Sequence, residues 1–196
     1  MNRAGLDFAR FLYARVRNLK SLTLNIISNP VVVLCYHRVA RMKSDLNALA
    51  VTPDNFRSHL EYLKRTFPIV RFEQEWPTVN RPSVAITFDD GYADNLEVAL
   101  PIIEEAGVPV TFFVSTAAID SGDEFWWDAL ERLVLGDSGY PGEFTAHDPR
   151  GKTTWPSATL AERKALFREV HSLLLDASAE QRLDWLRQIR AWAGEG

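Results

Sequence analysis

With one cysteine in 196 residues, the chain has no internal disulfide to hold it together. Cys35 lies inside the apolar run Val31-Val32-Val33-Leu34-Cys35-Tyr36, where a buried, inert thiol is expected, and one cysteine fits a reducing compartment. Histidine is also scarce, with only His37, His59, His147 and His171. No apolar run approaches the ~20 residues that cross a bilayer. Arg10, Arg15 and Arg17 interrupt any signal-peptide core, so the expected location is cytoplasmic or membrane-peripheral. A net charge of -4 gives no reason to expect a nucleic-acid partner. There are no repeats, low-complexity tracts or Gly-rich phosphate loops, which argues against reading paired carboxylates as the magnesium site of a phosphoryl-transfer protein.

What is present is an ordinary globular composition, 46% hydrophobic and 24% charged, which argues against disorder. Residues 1–28 read as an amphipathic helix, with Phe8, Leu12, Val16 and Leu19 on one side and Arg3, Arg10, Arg17 and Lys20 mostly opposite. Such a helix packs on its own domain or makes peripheral contact with an anionic membrane. Val31–Tyr36 reads as a buried strand. Thr52-Pro53-Asp54 starts a helix carrying Phe56, Leu60 and Leu63, with His59 on the exposed rim. A short strand is expected near Ile69–Phe72. A helix from about Asp94 to Ala106 is stopped by Gly107 and disturbed by Pro101, and Pro109–Val114 is expected as a further buried strand. That order predicts a parallel α/β sheet with crossover helices.

Beyond residue 115 the pattern turns helical. Helices are expected from Phe125 to Leu135, Thr159 to Asp176 and Ala179 to Ala193, with Leu160, Phe167, Val170, Leu174, Leu183, Leu186 and Ile189 as their apolar positions. Between them residues 136–157 read as a polar loop, with no strand signal before the last residue.

The chain is organised around Ser83-Val84-Ala85-Ile86-Thr87-Phe88-Asp89-Asp90-Gly91-Tyr92, a strand buried on both faces that ends in two carboxylates and a glycine. Adjacent strand residues point to opposite sides, so one aspartate can ligand a metal while the other accepts a proton. An isolated Asp-Asp-Gly is more often simply a polar turn. His37, leaving the earlier strand, is open to a ligand, substrate-contact or structural role.

Together with Leu34-Cys35-Tyr36-His37-Arg38-Val39 before it, and Ala99-Leu100-Pro101-Ile102 through Gly107–Val114 after it, this stretch resembles the polysaccharide deacetylase (NodB-homology) family over roughly residues 31–128. The resemblance implies a distorted (β/α) barrel with its site at the C-terminal strand ends. It implies Asp89 as general base, Asp90 as ligand of a divalent metal, usually zinc, and hydrolysis of the acetamide of an N-acetylated saccharide. Tyr36, His37 and Tyr92 match positions near the site, where they are expected to contact substrate. The organisation implied is an N-terminal helix (1–28), the N-terminal part of the barrel (29–124) and a helical insertion (125–196).

The chain departs from the family in its histidines. The family completes its metal site with a His-x-x-x-His pair, and no two histidines here have that spacing. The later arginine-proline and leucine-histidine elements also lack counterparts. Two explanations follow: an N-terminal part of an enzyme, inactive alone, whose histidines lie elsewhere, or a degenerate homologue that binds saccharide or a partner without catalysis. The persistence of Asp89 and Asp90 favours the first.

Overall fold

The computed structural model describes residues 29–76, 80–116, 119, 122–136, 139–148 and 151–195, so the expected N-terminal helix lies outside the described residues. The described chain forms two compact units. One takes in the residues up to Lys43 and Leu49–Ser115, the other Ser44–Ala48 and Thr116–Gly196.

The first unit is built on a parallel sheet, as the sequence predicts. Strand β1 (Val31–Tyr36) is followed by the short pair β2 (Arg38–Val39) and β3 (Ala50–Val51), then helix α1 (Pro53–Thr66), β4 (Ile69–Val70) and β5 (Ser83–Phe88). A π-helical turn (Asn95–Ala99), helix α2 (Leu100–Ala106) and β6 (Thr111–Phe112) complete it. Strand β5 is central and buried at all six positions. It pairs with β1 along its length, from Val31 opposite Ser83 to Tyr36 opposite Phe88. Strand β4 pairs with Val84 and Ala85 of β5, and β6 with Thr87 and Phe88.

Helix α1 starts as expected. The Thr52 side chain accepts the Asn55 N–H, and Pro53 takes a first-turn position where its missing N–H costs nothing. Phe56, Leu60 and Leu63 are buried with Val84, Ile86 and Phe88 of β5 and Ile102 and Ile103 of α2. Each such burial stabilises by roughly 1.5–3 kcal/mol relative to exposure. Pro101 has the expected effect in a specific form. It cannot donate to the carbonyl four residues back, and the preceding turn widens so that the Leu100 N–H bonds the Asn95 carbonyl. Gly107 closes α2 at φ +63°.

Several burial expectations fail here. Among the described residues β1 pairs with β5 alone, leaving Val32 51% exposed and Val33 also exposed. Cys35 is exposed rather than buried, because among the described residues β1 is an edge strand with one neighbour. The strand expected over Pro109–Val114 is reduced to Thr111–Phe112, and Phe112, Phe113 and Val114 are exposed.

In the second unit, helix α3 (Trp126–Leu135) precedes strands β7 (Glu143–Asp148) and β8 (Gly151–Pro156), then helices α4 (Leu160–Leu175) and α5 (Ala179–Ala193). The three helices fall where the sequence places them. Complete capping boxes start α4 (Thr159 with Glu162) and α5 (Ser178 with Gln181). The loop expected over 136–157 is instead an antiparallel hairpin, with Phe144 opposite Trp155. Phe144 and Ala146 alternate inward with period two, and Trp155 faces them from the partner strand. Leu166, Phe167, Val170, Leu174, Trp185, Leu186 and Ile189 join that core, whereas Leu160 and Leu183 are exposed. Among the described residues no helix is long and apolar enough to cross a membrane.

Candidate active site

The site lies where β1 and β5 end. The Asp89 N–H bonds the Tyr36 carbonyl at 2.9 Å, extending the β1–β5 ladder by one step. The next two residues leave the strand by a left-handed turn, Asp90 at φ +73° and Gly91 at φ +80°. Aspartate tolerates that region better than most residues, and glycine occupies it freely. The turn is anchored from the β6 side, where Phe113 N–H bonds the Phe88 carbonyl at 2.7 Å and Ser115 N–H bonds the Asp90 carbonyl at 3.1 Å.

Strand periodicity sorts the side chains. Cys35 pairs with Thr87, so Cys35 and His37 of the first chain segment share a face with Thr87 and Asp89 of the second. Ligand atoms of Cys35, His37 and Asp89 all lie within 4.8 Å of one another. Partial desolvation and the Asp89 carboxylate raise the Cys35 thiol pKa, while a hydrogen bond with Thr87 opposes them. Burial also holds the Asp90 carboxyl above its ordinary value; His37 opposes that shift and the Asp89 charge adds to it.

Tyr36, one residue out of phase, faces the other way. Its ring packs edge-on against Phe56 and stacks on Phe88, and its hydroxyl lies 3.1 Å from His59 Nδ1. Burial pushes its phenol pKa up. Tyr92 is buried beneath the Arg38 guanidinium, 4.4 Å from the ring centroid. Of the predicted site residues, His37, Asp89 and Asp90 therefore cluster, while Tyr36 packs into the core.

Two supporting residues, Asp94 and Asn95, carry no site role in the sequence reading. Asp94 accepts hydrogen bonds from Arg38 Nε at 2.9 Å and Val39 N at 3.0 Å. Asn95, 4% exposed, donates to the His37 carbonyl at 2.8 Å. They tie the chain leaving β1 to the turn that follows Asp89 and Asp90. The only available signal was an Asp-Asn pair at an expected helix start.

A sequence model of the polysaccharide deacetylase family matches residues 77–139. A Bacillus subtilis (strain 168) protein whose name assigns it to the polysaccharide deacetylases, YxkH, is 32% identical over 89 residues, 42% of this chain and 30% of the relative. Among solved structures, a polysaccharide deacetylase from Bacillus cereus is similar at 23% identity and TM-score 0.41, covering 53% of this chain and 35% of that one. IcaB from Ammonifex degensii is similar at 24% identity and TM-score 0.41, covering 74% and 66%. The chain thus spans about a third of the length of the Bacillus proteins it matches. The family and sequence matches support a partial domain of polysaccharide deacetylase type.

Proposed function

We propose that the protein is a metal-dependent carbohydrate deacetylase that hydrolyses the N-acetyl group of an acetylated amino sugar. The observation that carries this reading is the pair Asp89 and Asp90 at the end of buried β5, inside the segment matched to the family. Asp89 is the general base and Asp90 a metal ligand. His37 lies beside them as a substrate contact, while Tyr36 and Tyr92, both packed inward, support the chain that carries the site.

Asp90 offers a carboxylate oxygen, a donor that zinc accepts. When bound, zinc supplies Lewis acidity that polarises an acyl carbonyl and makes water easier to deprotonate. Asp89 takes the proton of the attacking water. The water oxygen adds to the acyl carbon, the C–N bond breaks, acetate departs and the sugar amine takes up a proton.

A test is acetate release by the protein isolated from its source cells, with Asp90→Ala introduced in place. The variant should lose essentially all release; activity equal to the wild type overturns the assignment. A second reading, a non-catalytic saccharide-binding homologue, is favoured by the absence of any His-x-x-x-His spacing. It requires saccharide binding that survives a chelator, and binding lost with the metal counts against it.

A further inference from the structure

We infer that Cys35, His37 and Asp89 form a binding site for a divalent cation of zinc type, distinct in its ligands from the Asp90-centred position proposed above. The sequence offers no two histidines at four-residue spacing, yet the fold assembles a different three-ligand set. Cys35 and His37 are two residues apart on β1 and its exit, so both project from one face. Asp89 enters the same face from β5, fixed by the ladder bond between its N–H and the Tyr36 carbonyl.

The dimensions suit the ion. Zinc bonds of about 2.0–2.3 Å at tetrahedral angles place ligand atoms on the order of 3.5 Å apart. The three atoms here lie within 4.8 Å, so a side-chain rotation of about an ångström closes the set. Cys35 is exposed and has room to make it. Three protein ligands leave a fourth position for water or another donor, the pattern of an open zinc site. The Asn95 side chain holds the His37 backbone at 2.8 Å, which keeps the imidazole near its partners.

A cation here uses the carboxylate that the functional reading employs as a base. The two uses of Asp89 therefore exclude one another at any moment, and the inference does not rest on that reading.

Cys35 is the chain's only cysteine, so any thiolate signal reports this site. The full chain, without a histidine tag and stripped of metal, is titrated with cobalt(II) alone. The expected result is a near-ultraviolet thiolate-to-cobalt absorption that saturates at one equivalent. It should be absent in Cys35→Ser, and binding should be at least about tenfold weaker in His37→Ala. No such band, or a His37→Ala titration equal to the wild type, overturns the site. As a check independent of the variants' folding, alkylation of the wild-type thiol by iodoacetamide should slow severalfold when zinc is added. An unchanged rate also overturns it.

Discussion

Gly91 sits against Val114 so closely that a β-carbon on residue 91 would lie 2.7 Å from Val114 Cγ1. The same residue holds φ +80°, directly after the two aspartates. Gly91→Ala therefore meets two penalties, a left-handed backbone costing about 1–2 kcal/mol and a contact that must be relieved. A loss of about 2–3 kcal/mol is expected in denaturant melts. Adding Val114→Ala should recover the contact part but not the backbone part. A Gly91→Ala protein as stable as the wild type would show that the turn is not held as described.

Asp94 is the hinge pin between the two site segments. Its carboxylate is nearly buried and serves both Arg38 and the Val39 N–H. Asp94→Ala leaves a backbone donor and a guanidinium without their acceptor, a loss of roughly 1.5–3 kcal/mol. Asp94→Asn keeps one acceptor and should cost less than half as much. Equal stabilities for the two variants, measured by urea unfolding, would contradict this division of labour.

In the second unit, His171 stacks on Phe167 at 5.5 Å and lies tilted against Trp126 at 5.1 Å between ring centroids. Burial lowers its pKa, with only partial opposition from Glu131. The folded state thus disfavours the imidazolium that the unfolded chain readily forms. The contribution is fully present above the ordinary histidine value of about 6.5 and is lost as pH falls through that value toward the lower folded one. His171→Gln should flatten this segment of the stability–pH curve. A wild-type curve already flat between pH 7 and 5 would contradict the assignment.

The sequence made the buried elements of the first unit readable. Thr52-Pro53 marks a helix start, Ser83–Phe88 is apolar on both faces, and Gly107 ends a helix, each through a local signal that the structure follows. Exposure was harder to read. Val32, Cys35 and Phe113 look like core residues because β-branched and aromatic runs read alike whether a strand is covered on one side or two. The β7–β8 hairpin was missed because Thr153 and Thr154 read as polar, although Phe144 and Ala146 carried the period-two signal. At the site, Asp89, Asp90 and His37 were visible in local motifs. The placing of Cys35 beside Asp89 depends on pairing between residues such as Cys35 and Thr87, far apart in sequence, which no local pattern records.

The roles of general base for Asp89 and metal ligand for Asp90 require that the protein cleave an acetamide with a metal's help. The most direct measurement is the yield of acetate and free amine when protein from its source cells is given an oligosaccharide of N-acetylated amino sugars, before and after chelation and after zinc is restored. Equal amounts of the two products, loss of both with the chelator and recovery with zinc are expected. Absence of acetate in all three conditions, or release indifferent to the chelator, would contradict it.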